Sequence, residues 1–338
     1  MDSPARVALI MTFRNEAASL PGVLASLAEQ TIGLERVRLI AVDNGSNDGS
    51  GAIVRAWLRT TGVDGEVLDV ATPSIPGALN AAIKRAGPDE YVVRLDAHTL
   101  YAENYLEEIL RAFADLPDDA WCVGGLFDVV APGSLGHQLH AALFESPMGL
   151  GSADHRSPGG VREVSSVYLG AWRPGTLQRL GGYDTAWQAN EDAELAERIR
   201  AAGGRIFCIP AKSRKILTRG ARSALMQWHR YGWWRAQTLK RHPKAVRLRH
   251  LAPPLAVLAA CALAASPRRR WLVVPILAYM AAVWTRRPAA QPLVITLATT
   301  LYFPLVQAAY GIGMLTGAVT APARNAAHAV TVEAPAPR

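Results

Sequence analysis

The chain has 338 residues, half of them hydrophobic and 19% charged, so it can bury a sizeable core and is not a disordered polypeptide. Its formal net charge is +8, yet no Asp or Glu occurs between Arg198 and Val332, and all but one of the 28 acidic residues precede that stretch. The split predicts an acidic catalytic body followed by a basic, apolar region that faces anionic lipid rather than nucleic acid. Cys122, Cys208 and Cys261 have no paired spacing, which argues against a disulfide framework and a zinc site. The first apolar run, residues 7–11, is too short for a signal peptide, so the body is expected to stay in the cytoplasm.

Strands are predicted over 7–11 and 38–42, separated by a helical pattern with Leu20, Val23, Leu24 and Leu27 on one face. A helix over 50–61, a strand over 66–71, a helix over 77–85 and a strand over 91–95 follow, the last ending at Asp96. This alternation predicts an α/β fold, Rossmann-like, with a mainly parallel sheet and helices on both faces. Ligands of such sheets collect beyond the carboxyl ends of the strands, where Asp43 and Asp96 both fall. Further on, the pattern gives a helix over 101–116, a strand over 121–130 and a mobile Gly, Ser and Pro-rich loop over 146–162. It then gives a strand over 164–172, a helix over 191–202 stopped by Gly203 and Gly204, a short strand over 205–209 and an amphipathic helix over 223–241. After His250 come apolar blocks at 251–265, 271–285 and 292–315, of which only the third reaches the ~20 residues that span a bilayer. Arg268 to Arg270 and Arg286 with Arg287 lie in successive loops, and cannot all be cytoplasmic if every block spans. The expected division is a catalytic domain over 1–222, an amphipathic helix and basic linker over 223–250, two or three membrane segments over 251–316, and a disordered tail over 317–338.

Four polar clusters carry the chemistry. Thr12, Arg14 and Glu16 follow the first strand and form either a nucleotide cradle or a helix cap with a first-turn acid. Asp43, in Asp43-Asn44-Gly45-Ser46, can accept from a base imide or ribose hydroxyl, or simply open a turn. Asp96 and His98 put a carboxylate and an imidazole on one side of an extended segment, a donor pair suited to Mn²⁺ and acceptable to Mg²⁺. Glu191, Asp192 and Glu194 open a helix, as the dipole favours, and one of the first two can serve as a base, with Asp192 preferred and Glu191 the alternative. Gln227, Arg230 and Tyr231 sit about one turn apart among tryptophans, where Arg230 can pair with a diphosphate.

Taken in order, these residues resemble the inverting family 2 glycosyltransferases of GT-A fold over residues 5–242, with Gly181-Gly182-Tyr183-Asp184 falling at a further family motif. The Asp-Ala-His triplet, the Arg-Tyr-Gly ending and the apolar tail are similar to bacterial glucosyltransferases of succinoglycan-type exopolysaccharide assembly, which use polyprenyl-diphosphate-linked saccharides at the cytoplasmic membrane face. The resemblance implies that Asp43 contacts the nucleoside, that Asp96 and His98 hold the diphosphate and a divalent metal, and that Asp192 is the base. Gln227, Arg230 and Tyr231 would close over donor and acceptor. Implied partners are a nucleotide sugar, a lipid-linked saccharide and the cell membrane, with no nucleic acid. Asn44 and His98 stand where the family often has Asp, which bears on metal and donor preference. Two other functions fit the same residues: polyprenyl-phosphate sugar synthesis, and nucleotide-sugar binding by a membrane adaptor without catalysis.

Overall fold

The computed structural model describes residues 6–70, 74–131, 133–146, 148–149, 159–218, 220–288 and 291–320. Most of the loop expected to be mobile, and the expected tail from 321 onward, lie outside the described residues. The described residues form two compact units, the first from 6–128 and 159–216, the second from 129–149 and 217–320.

The first unit opens with β1 (Val7–Phe13), α1 (Leu20–Ala28), β2 (Val37–Asp43), α2 (Ser50–Thr61), β3 (Asp64–Asp69), α3 (Ile75–Ile83) and β4 (Tyr91–Asp96). These strands pair in parallel in the spatial order β3-β2-β1-β4, as the alternation predicts. Successive residues of β1 point to opposite faces, so Val7, Leu9, Met11 and Phe13 join one core with α1, while Ala8 and Ile10 join the other with α3. Burial on both faces explains why these strands read as continuous apolar runs.

Beyond β4 the sheet becomes mixed. The chain continues through β5 (Thr99–Tyr101), α4 (Tyr105–Asp115), β6 (Ala120–Val130), α5 (Leu135–Glu145, in the second unit), β7 (Arg162–Glu163), β8 (Gly170–Trp172), α6 (Thr176–Arg179), α7 (Glu191–Ala201) and β9 (Arg205–Ile216). β8 is antiparallel to both β4 and β6, and β5 is antiparallel to β9. Three expectations are corrected here. The strand foreseen over 164–172 is confined to its last three residues, because the preceding stretch leaves the ladder: Val167 packs where Gly124 lacks a side chain, and Leu169 takes a left-handed φ of 50°. β9, expected over 205–209, runs on to Ile216, its buried Ala211 and Ser213 alternating with exposed Lys212 and Arg214. The helix expected from residue 101 starts at Tyr105, since Tyr101 ends β5.

The second unit contains α5, α8 (Ala221–Arg241), α9 (Leu248–Ala264), α10 (Val273–Thr285) and α11 (Leu293–Val319). Among the described residues, α11 alone is long and apolar enough to cross a membrane. α8 and α11 run side by side in the same direction, from a hydrogen bond of Tyr302 OH to Ala221 O at 2.7 Å to one of Gln237 Nε2 to Gly317 O at 2.7 Å. Glycines make this approach possible: a Cβ at Gly232 would strike the Tyr310 carbonyl, one at Gly313 the His229 carbonyl, and one at Gly317 would stand 2.6 Å from the Trp233 carbonyl. Trp228, Phe303, Val306 and Leu143 of α5 fill the rest of this core.

Gly313→Val is therefore expected to lower unfolding stability by about 1–3 kcal/mol through overpacking, whereas Ile312→Val next to it, on an exposed position, should change stability by less than about 0.5 kcal/mol. Denaturant unfolding of the two variants checks this.

Candidate functional site

The parallel register sets the frame. Thr12 of β1 pairs with Asp96 on one side and Val42 on the other, and Phe13 pairs with Asp43. Asp43 and Asp96 thus end strands on either side of β1, about 10 Å apart by strand spacing. Two loops knit together above β1 and β2: the Asn15 amide donates to Ser46 Oγ at 3.0 Å, the Glu16 amide to Ser50 Oγ at 2.8 Å and the Ala17 amide to Asp48 Oδ2 at 3.0 Å. Asp43 Oδ1 accepts from the Ser46 amide at 2.7 Å, so one of its oxygens fixes the turn. Arg14 is exposed at this edge, and Thr12 is half-buried.

Asp96 is surrounded by protein donors and cations. Tyr168 OH donates to its Oδ2 at 2.6 Å, Lys215 Nζ lies 3.5 Å away and His98 Nε2 3.7 Å, while its own amide donates to Tyr101 OH at 2.8 Å. Burial works to raise the Asp96 pKa, but Lys215, His98 and Arg94 together hold it far below the ordinary carboxylate range. His98 Nδ1 reaches Glu16 Oε1 at 3.4 Å, so Glu16, His98 and Asp96 form one chain of groups. Burial also opposes ionisation of Glu16, and its bonds with His98 and Ser19 outweigh that and lower its pKa. Lys215 lies over the Tyr168 ring at 4.6 Å.

The second part of the site is built on Arg94, a charged residue inside β4 whose side chain is only 10% exposed. Its guanidinium donates to Asp192 Oδ1 at 2.5 Å and to Glu191 Oε1 at 3.2 Å, at the first turn of α7. Tyr183 OH also donates to Asp192 Oδ1, at 3.0 Å. Asp192 is 35% exposed against 11% for Glu191, and its Oδ2 has no hydrogen-bond partner among the described residues. Burial, reinforced by Glu191 and opposed by Arg94, pushes the Asp192 pKa up to about 6. Asp96 adds to that rise, so the two parts of the site lie within electrostatic reach. Glu194 is different: it is fully buried and bound at 2.8 Å by Arg198, which also donates to the Leu180 and Gly182 carbonyls.

Among the described residues no group of three or more His, Cys, Asp or Glu is arranged to hold a metal by itself. Asp96 and His98 nonetheless fit as two protein ligands. Their 3.7 Å separation is longer than the about 3 Å between adjacent ligands on bonds near 2.1 Å, so the two side chains would have to close by somewhat under 1 Å to share an ion, which would take its other ligands from the substrate.

Residues 8–162 match the family model described as Glycosyl transferase family 2. The chain carries a glycosyltransferase family 2 domain. The transferase is 29% identical over 253 residues, covering 72% of this chain and 73% of the other, to the succinoglycan biosynthesis protein ExoA of Rhizobium meliloti (strain 1021). Its GT-A fold is shared with the mannosyltransferase PcManGT from Pyrobaculum calidifontis, solved with GDP-Man and Mn²⁺, at a TM-score of 0.57 and 22% identity over 94% of this chain and 88% of that one. GalNAc-T7, solved with UDP, GalNAc and Mn²⁺, aligns at a TM-score of 0.50 and 16% identity over 64% of this chain, which spans 45% of that protein.

Of the residues expected in the site, Glu16, Asp96, His98, Glu191 and Asp192 come together in the first unit, with Thr12, Arg14 and Asp43 along the same strand edge. Gln227, Arg230 and Tyr231 form their own group on α8 in the second unit, where Gln227 Nε2 donates to Tyr231 OH at 2.5 Å and Arg230 is exposed. Four residues of the transferase were missed. Arg94 had a signal, a lone cation in a buried strand. Tyr183 lay in a motif given no role. Tyr168 lies in the segment expected as strand 164–172, and Lys215 lies six residues beyond the end expected for the strand over 205–209.

Arg94→Met leaves two carboxylates poorly partnered, and is expected to destabilise the transferase by about 3–5 kcal/mol in denaturant unfolding. Arg14→Met, at an exposed position, should stay within about 0.5 kcal/mol of the parent.

Proposed function

We propose that the transferase moves a hexose, with inversion, from a nucleotide-diphosphate sugar to a polyprenyl-diphosphate-linked saccharide at the cytoplasmic membrane face, in exopolysaccharide or other cell-surface glycan synthesis. One observation carries the reading: the Glu16, His98 and Asp96 chain and the Arg94-held Asp192 meet at one edge of the first unit. The likeness to a succinoglycan biosynthesis protein supports the place in glycan synthesis, and the nucleotide and Mn²⁺ bound by the two solved structures support the donor and metal.

Asp96, ionised at any working pH, and His98 would hold Mn²⁺ or Mg²⁺. The ion would neutralise charge on the departing nucleoside diphosphate. Lys215 and Tyr168 fix the direction of the Asp96 carboxylate and keep positive charge beside the diphosphate. Asp43, with Thr12, Arg14 and Glu16 at the same edge, is positioned for the nucleoside. Asp192 accepts the proton of the acceptor hydroxyl at its unpartnered Oδ2, while Arg94 and Tyr183 hold Oδ1 and so keep the carboxylate from rotating. On α8, the exposed Arg230 is the group offered to a phosphate, with Gln227 and Tyr231 beside it.

Radiolabelled nucleotide sugars incubated with the protein and membrane lipid extract should give a labelled lipid from which mild acid releases the sugar. Asp192→Asn is expected to cut this turnover by roughly 10²- to 10⁴-fold with donor affinity nearly unchanged. A mild effect would point to a polyprenyl-phosphate acceptor, which needs little base assistance, and a larger loss from Glu191→Gln would move the base to Glu191. Excess chelator should abolish transfer and weaken donor binding measured by calorimetry, with Mn²⁺ restoring both at least as well as Mg²⁺.

The base must be ionised to act, so turnover should fall about tenfold per pH unit below about 6. Stability runs the other way. A carboxyl whose pKa rises on folding favours the native state below its unfolded value, and that contribution is lost as pH climbs through about 6. Rate and unfolding profiles of the parent and Asp192→Asn should diverge in that window.

A further inference from the structure

α8 carries Arg222, Arg230, Lys240 and Arg241 on exposed positions along its whole length. Lipid-facing cations are excluded from the hydrocarbon of a bilayer, so α8 can lie no deeper than the headgroups. α11 accompanies it in parallel from Tyr302 to Thr320, close enough for glycine-only contact, and is therefore held at the same depth over that length. What remains is the start of α11, residues 293–301, about 14 Å of helix against a hydrocarbon core of about 30 Å. α9, with 17 residues, and α10, with 13, reach about 25 Å and about 20 Å.

The apolar surface is nonetheless broad. Leu293, Leu297, Leu301 and Leu305 make one stripe on α11, each more than half exposed, and Leu255 and Leu258 of α9 are similarly uncovered. Both ends of α10 carry a cation over an indole, Arg270 at 6.0 Å from the Trp271 ring and Arg287 at 4.8 Å from the Trp284 ring, the chemistry of a headgroup anchor at each end. At about 20 Å, α10 is too short to set these two anchors on opposite interfaces of a hydrocarbon core of about 30 Å. This also removes the conflict between Arg268 to Arg270 and Arg286 with Arg287, because both groups can face the cytoplasm when α10 lies within one leaflet.

We propose that the second unit enters only the cytoplasmic leaflet, with α9, α10 and the start of α11 among its acyl chains and its arginines on anionic headgroups, and that no helix of it traverses the bilayer. This rests on the membrane-face reading above and deepens it.

The test uses the full chain in bacterial spheroplasts, with Cys261→Ala removing the exposed thiol and one of three cysteines added: Pro267→Cys between α9 and α10, Pro288→Cys before α11, or Val319→Cys at its last residue. No added thiol should react with a membrane-impermeant maleimide in intact spheroplasts, and each should react after detergent. Reaction of any of them from outside overturns the proposal, since a spanning α11 puts position 288 or 319 there and a spanning pair of α9 and α10 puts position 267 there. If the protein stays in the soluble fraction, the membrane reading fails as well, while glycosyl transfer assayed on extracted lipid reports separately on the chemistry. In flotation with phosphatidylglycerol-containing vesicles, Leu297→Glu with Leu301→Glu should weaken binding at least tenfold with an unchanged unfolding midpoint, and unchanged binding would refute the assigned surface.

Discussion

A buried guanidinium organises this transferase. Arg94 emerges from a strand whose neighbours are core residues, and its removal from water is tolerable only because two carboxylates and a phenol meet it. Those partners come from the start of α7 and the loop before it, so the ion pair fastens a helix to the sheet edge where the strands end. The fastening continues outward. Arg198 ties Glu194 to the Leu180 and Gly182 carbonyls, and Asn80 of α3 clamps the Tyr183 backbone, accepting from its amide at 2.7 Å and donating to its carbonyl at 2.7 Å. A side chain at Gly182, whose φ is 71°, would strike Asn80. Each buried charge in this network has a partner, which is the condition for it to hold position rather than weaken the fold.

Backbone strain is concentrated at the same place. Among the described residues three non-glycines have positive φ, namely Asn15, Leu169 and Asn190. Each adjoins a site residue: Glu16, Tyr168 and Glu191. Asn tolerates this region and Leu does not, so the Leu169 conformation is held by its surroundings, buried at 2% exposure beside β8. The strained turn is what carries the Tyr168 hydroxyl to Asp96 while the chain still enters the sheet two residues later.

The parallel half of the sheet was legible because both faces are buried, and strands of that kind announce themselves as apolar runs separated by helical periodicity. Strand ends follow from strands, so Asp43 and Asp96 could be placed at one edge, whereas the acidic start of α7 could be read only as a helix opening. Tyr168 and Lys215 could not be placed, because they reach Asp96 from segments distant in sequence, through an irregular stretch and the far end of a strand whose pattern was legible only over 205–209. The same holds for α5, whose partners α8 and α11 lie far along the chain. Local periodicity reports which face is buried, not what buries it. The acidic residues of α7 show the limit well: sequence prefers Asp192 and keeps Glu191 as its alternative, and only packing supplies a physical reason, since Glu191 is nearly covered, Glu194 is bound by Arg198, and Asp192 keeps an open oxygen.

The glycine seam between α8 and α11 has a bearing on biogenesis. α8 leaves the ribosome with Trp228, Gly232 and Gln237 facing nothing, and the segment that covers them ends about 80 residues later, which at common elongation rates is several seconds. α5 waits longer still. During that interval the nascent chain exposes aromatic surface flanked by cations, the composition that anionic bilayers adsorb. A leaflet that receives α8 first would shield it from aggregation and hold it straight until α11 arrives to zip alongside. Folding of the second unit would then be a surface reaction, completed only where the finished enzyme is needed.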